Sequence, residues 1–232
     1  MTDSRALGDS TRRLEAVIFD GDGVLIRSME RNAEAYEHAL SSVGVQIRAD
    51  EVYLNEGRRS NELIALLASA HGVVLSSAQL GQLTREHQRV FASFGTMPLY
   101  SGAEPVVRAI RRRGIRTALV TANSRQNALR NLGPIRPLLD CVVTAEDMVN
   151  TKPDPEPYRA ALRKLGVRPD HSVVVENSPL GIRSAKDAGV DVIAVTSTNS
   201  AERLALADVI IRDLSELPNV LARYDGRLDG RP

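Results

Sequence analysis

Short runs rich in valine and isoleucine recur along this chain, and helical patterns separate the later ones. The runs are Ala16–Phe19, Thr117–Val120, Val142–Thr144, Val173–Val175, Val192–Val195 and Val209–Ile211. Strands buried on both faces read in this way, as short apolar runs without polar alternation. Helical patterns cover Ala103–Arg113, Glu156–Leu165 and Pro179–Ala188, stopping at Gly114, Gly166 and Gly189. A glycine just past a helix is the ordinary C-terminal stop. Alternating strand and helix predicts an α/β fold, a Rossmann-like parallel sheet with helices on both faces.

One region breaks the alternation. From Ser28 to Phe94 the periodicity is helical throughout. Glu30–Leu40 makes one helix, Leu63, Ile64, Leu66 and Leu67 mark a second, and Leu80, Leu83, Val90 and Phe91 mark a third. The expected organisation is therefore a core over residues 14–26 and 98–224, with a small all-helical cap over residues 27–97 inserted after the first strand. The links fall near Ile26–Arg27 and Gly95–Pro98.

Composition narrows the function classes. The formal net charge is +1, which gives no electrostatic case for nucleic acid or an anionic membrane. No apolar run approaches the roughly 20 residues of a membrane span. Residues 1–13 read as a polar lead-in without a signal-peptide core. The lone Cys141 sits in an apolar run and reads as a buried structural thiol. A cytoplasmic protein is expected. The four histidines are scattered, without metal-ligand spacing.

The polar residues that follow each apolar run are the informative ones, because ligands of open parallel sheets sit beyond the strands' carboxyl ends. Asp20 and Asp22 follow the first run, Thr121 and Asn123 the second, and Glu176 and Asn177 the fourth; Lys152 lies in NTKPDPEPY before a helix. Each alone is weak: a lone Asp-x-Asp is most often a solvated turn, and Glu176–Asn177 before Ser-Pro resembles a helix start. Together they form one chemical set. Carboxylates and an amide oxygen suit Mg2+, while a hydroxyl and an ammonium suit phosphate oxygens. A divalent cation also answers the repulsion between Asp20 and Asp22. A carboxylate can attack phosphorus, and a second one two residues on points to the same face and can move protons. Gly21 and Gly23 leave room for backbone to approach a ligand.

In these motifs the chain resembles the haloacid dehalogenase superfamily, in its phosphatase branch with a helical cap. VIFDGDGVLI, ALVTAN, TKPDPEPY and VVVENSPLGIRSAKDAG resemble the four signature motifs in order. The resemblance implies that Asp20 is the nucleophile forming an aspartyl-phosphate and Asp22 the general acid/base. It implies that Thr121 and Lys152 hold the phosphoryl group, and that Mg2+ is bound by Asp20, the Asp22 carbonyl, Glu176 and Asn177. The implied substrate is a small phosphorylated metabolite, with the cap closing over it. Asn123 is a further candidate substrate contact. EGRRSNEL (residues 56–63) resembles the substrate-facing cap loop, making Arg58 and Arg59 candidate contacts. Asp22 favours phosphoryl transfer over dehalogenation. The insert and the late Glu176 argue against a receiver domain.

Two positions depart from the family pattern. Asn177 stands where relatives often carry a second acid, which predicts weaker Mg2+ binding. Arg27 stands where they often carry Asp and reads as a solvated cation at the hinge. Two other readings remain open. A sugar-phosphate mutase like beta-phosphoglucomutase shares these motifs, but commonly has a histidine where this chain has Asn32. A catalytically silent binding module would be expected to lack one of the four catalytic groups, and none is missing. The sequence leaves the oligomeric state open.

Overall fold

The computed structural model describes residues 13–224 of the 232. Residues 1–12, most of the expected polar lead-in, lie outside the described residues. Six strands form one sheet: β1 (Ala16–Asp20), β2 (Arg116–Val120), β3 (Cys141–Val143), β4 (Ser172–Glu176), β5 (Asp191–Val195) and β6 (Val209–Ile211). Their order is β3-β2-β1-β4-β5-β6, and every pairing is parallel.

The period-2 geometry of a strand splits β1 between two cores. Val17 and Phe19 join Leu119, Val175 and Ile193 on one face, whereas Ala16 and Ile18 join Val120, Val174 and Val192 on the other. Helices cover both faces, as a parallel sheet requires. Helices α5 (Ala103–Arg112), α6 (Arg125–Leu132) and α9 (Leu217–Tyr224) pack on the first face, and α7 (Glu156–Leu165) and α8 (Pro179–Asp187) on the second. Burying a side chain such as Phe19 or Ile182 is worth about 1.5–3 kcal/mol, and both are fully buried.

Between β1 and α5 the chain is helical: α1 (Met29–Ser41), α2 (Ala49–Leu54), α3 (Ser60–Ala70) and α4 (Ser77–Ser93). These helices share an apolar cluster of their own, including Met29, Leu40, Val52, Ile64 and Leu83. The two connecting segments lie side by side. Arg27 N–H donates to Pro98 O at 2.8 Å, Tyr100 N–H donates to Leu25 O at 3.0 Å, and Ile26 bridges Leu99 in antiparallel fashion. Arg27 itself is exposed and pairs with Glu30 at 3.3 Å, the solvated role expected of it. Cys141 is half-buried rather than fully buried, because its strand lies at the sheet edge. Burial pushes its thiol up to about 11, so it is a poor nucleophile at neutral pH.

Candidate active site

β1 lies between β2 and β4, and the chain leaves it in one direction and later returns on the other side. Loops diverge at such a switch point and leave a crevice at the strands' carboxyl ends. Asp20 closes β1, Thr121 follows β2 and Glu176 closes β4. All three are buried, as are Lys152 and Asn177.

Lys152 Nζ donates to Asp20 Oδ1, and to Glu176 Oε1 at 2.6 Å. Among the described residues no hydrogen bond reaches Asp20 Oδ2. Burial works against the Lys152 ammonium, but Asp20 and Glu176 outweigh it and hold its proton firmly. Burial raises Asp20 to about 8; Lys152 opposes the rise, and Glu176 and Asp22 add to it. Glu176 is held entirely by protein donors. Tyr158 OH reaches Oε1 at 2.7 Å, and Oε2 accepts from the main chain of Asn177 and Ser178 and from the Ser178 hydroxyl.

Asp22 is arranged differently. Its Oδ1 accepts from Ser28 Oγ at 2.5 Å, and its Oδ2 from Asn123 Nδ2 at 2.7 Å and Thr121 Oγ1 at 3.1 Å. Burial raises its pKa, against the bonds from Ser28 and Thr121. Asp20 and Asp22 therefore share one crevice with different partners: an ammonium for one, neutral donors for the other.

Gly23 has φ +78°, and a Cβ there would stand 2.1 Å from Asn177 Nδ2. The room it leaves is filled by the Asn177 side chain. At Gly21 a Cβ would stand 3.2 Å from the Cβ of Thr121.

The loop between α2 and α3 reaches into this crevice. Gly57, at φ +100°, lies so close to Lys152 that a Cβ would meet its side chain at 2.8 Å. Glu56 is buried and accepts from Asn177 Nδ2 at 2.7 Å. Burial, then Asp20, Glu176 and Asp22, push its carboxyl well above the usual range. Arg59 Nη2 donates to Met148 O at 2.8 Å, and Thr151 Oγ1 donates to Glu62 at 2.9 Å. Its guanidinium ties the loop to core main chain. Arg58 lines a cavity of about 680 Å³ that also includes Lys152, Asp154 and Arg183. Ser28, Glu56, Gly57 and Tyr158 escaped the sequence reading. Glu56 and Tyr158 stood inside the motifs quoted, but their partners lie far away in sequence.

Among the described residues no three acidic, histidine or cysteine side chains already stand in a metal-holding group; Lys152 bonds to both Asp20 and Glu176. The donor chemistry nevertheless fits a hard divalent cation. Asn177 Oδ1 and Glu56 Oε1 are buried acceptors without a hydrogen bond, and orphaned buried oxygens of this kind are costly. Asp20, Asp22, Glu56 and Glu176 are four carboxylates, and Lys152 is the sole cation bonded to any of them among the described residues.

A crevice of this kind, at the switch point of a parallel sheet beneath an inserted helical segment, defines a hydrolase class. The chain belongs to the haloacid dehalogenase-like hydrolases, whose family profile matches residues 17–195. Within that class it is 32% identical over 209 residues to validoxylamine A 7'-phosphate phosphatase of Streptomyces hygroscopicus subsp. limoneus, covering 88% of this chain and 95% of that one. It is 30% identical over 214 residues to a phosphorylated carbohydrates phosphatase of Thermotoga maritima, covering 90% and 98%. A solved structure assigned as a beta-phosphoglucomutase, from Bacteroides vulgatus, superposes with TM-score 0.83 at 27% identity, covering 94% of this chain and 91% of that one. The chain is a phosphoric monoester hydrolase of this family.

Proposed function

We propose that this enzyme is a Mg2+-dependent phosphatase of a small phosphorylated metabolite, working through an aspartyl-phosphate in the cytoplasm. The observation that carries the reading is the pairing of Asp20 with Lys152 beside a neutral-bonded Asp22. Asp20 attacks phosphorus in line with the leaving oxygen, forming a P–O bond to its carboxylate as the ester P–O bond breaks. Asp22 holds a proton more readily than an ordinary aspartate and delivers it to the leaving oxygen. It then takes a proton from the water that attacks the aspartyl-phosphate, and inorganic phosphate departs. Thr121 and Lys152 hold the phosphoryl oxygens and offset their charge. Asp20, the Asp22 carbonyl, Glu176 and Asn177 would hold Mg2+, which supplies positive charge against both the carboxylates and the phosphate.

The substrate class we favour is a phosphorylated carbohydrate, the kind named for the Thermotoga maritima relative. Arg58 and Asn123 are the proposed contacts, and residues 27–97 act as the cap that excludes water. A mutase would need a proton-handling group at Asn32, but Asn32 Oδ1 accepts from His87 Nε2 at 3.0 Å; hydrolysis is therefore preferred.

Hydrolysis of p-nitrophenyl phosphate tests this directly. EDTA should abolish it, Mg2+ should restore it, and Asp20→Asn should lower kcat by more than about a thousandfold. Turnover that survives both treatments would overturn the reading. A glucose 1-phosphate isomerisation assay run alongside should show no product.

A further inference from the structure

The family's second acid is missing at position 177, yet a carboxylate stands beside that position from elsewhere in the chain. Glu56 lies 121 residues away in sequence and is 8% exposed. Its Oε2 accepts from Asn177 Nδ2 at 2.7 Å, and that amide also donates to Thr198 Oγ1 at 2.8 Å. These two acceptors fix which way the Asn177 amide points. Oδ1 is left buried without a donor, and so is Glu56 Oε1. Two hydrogen-bonded, buried side chains thus each keep one orphaned oxygen, in the field of Asp20, Asp22 and Glu176.

The backbone shows that Glu56 is placed there by design of the loop. Gly57 lets the chain press onto Lys152, where any side chain would collide. Arg59 and Glu62 then fasten the next turn to Met148 and Thr151. A carboxylate held this firmly, beside three other acids and one ammonium, is stable only when a proton or a cation neutralises it, and two unpartnered oxygens side by side offer a cation its ligands.

We propose that Glu56 supplies from the cap the acidic metal donor that Asn177 lacks, so that metal binding and cap closure form one equilibrium. The proposal rests on the Mg2+-dependent reading above. Its consequence is specific: the metal pocket is complete only when the cap is down, and an open cap holds the metal more weakly.

Isothermal titration calorimetry with Mg2+ alone, without substrate, tests this on the full-length chain. Glu56→Gln keeps the shape and an acceptor for Asn177, and should weaken Mg2+ binding about tenfold or more, as loss of one ligand charge does. Adding Asn177→Asp to Glu56→Gln should restore most of the affinity, which a merely misfolded variant would not show. Amide exchange of residues 55–62 should slow on Mg2+ addition in the wild type and not in Glu56→Gln. Wild-type Mg2+ affinity in Glu56→Gln, with binding lost in Asp20→Asn, overturns the proposal and leaves the phosphatase reading standing. A wild-type protein that binds no Mg2+ overturns both.

Discussion

Asp22 and Glu176 carry their charge in opposite ways. Asp22 is met by three neutral donors, Glu176 by Lys152, Tyr158 and a turn of main chain. The first arrangement leaves a proton exchangeable, and the second holds a negative charge in place to orient Lys152. Tyr158→Phe removes one donor from a fully buried carboxylate. It should cost about 1.5–3 kcal/mol, the range for hydrogen bonds to charged groups, read as a lower midpoint in urea unfolding. The effect on kcat should be smaller, because Lys152 keeps its bonds to Asp20 and Glu176. Asp20, Asp22, Thr121 and Glu176 were legible in sequence because each closes or follows an apolar strand, a purely local signal. Tyr158 and Glu56 were not, since what makes them matter is proximity to residues 18 and 121 positions away.

At the scale of elements, α1 and α4 meet through an aromatic contact that carries a titration. His87 stacks on Tyr36 with ring centroids 3.8 Å apart, and Phe91 lies 6.2 Å beyond. Burial lowers His87 from 6.5 to about 4, so the folded protein keeps it neutral while the unfolded chain takes up a proton below pH 6.5. Its contribution is therefore fully present above pH 6.5 and is lost as pH falls toward 4. Between pH 7.5 and 4.5 the wild type should lose about 2–3 kcal/mol through this group, from the 1.36 kcal/mol carried by each pKa unit. His87→Phe keeps a ring in the stack and removes the proton. Its unfolding free energy, measured in urea at both pH values, should fall less than the wild type's by that amount; parallel losses would contradict the assignment. The sequence showed the long helices well but missed α2, α6 and α9. The six residues of α2 bury only Val52, and α6, RQNALRNL, carries three apolar residues in eight, Ala128, Leu129 and Leu132. Neither has enough apolar surface to print a period.

On the scale of the whole molecule, the polar ties between the inserted helices and the core gather around one loop. Glu56, Gly57 and Arg59 of that loop and Glu62 of α3 touch the core, Asn199 Nδ2 donates to Tyr53 O at 3.2 Å, Arg203 adds a 3.4 Å pairing with Asp50, and Ala35 and Phe91 join the core's apolar cluster. Arg59→Ala removes the tie to Met148 and should shift the population toward open forms. Small-angle scattering should then give a larger radius of gyration than the wild type's, and KM should rise several-fold while kcat changes less. An unchanged radius and KM would remove Arg59 from that role. That residues 28–94 depart from strand–helix alternation was legible from the sequence; how they sit on the core was not, because no periodicity encodes a docking loop. The paired entry and exit segments have a further consequence. Because Leu25–Arg27 and Pro98–Tyr100 are laddered together, everything between them hangs from one seam. That stretch can be lengthened, exchanged or grafted from a relative without shifting the order of a single strand. Only the residues that reach the crevice, Glu56 and Gly57 over Asn177 and Lys152, tie that freedom to the strand ends.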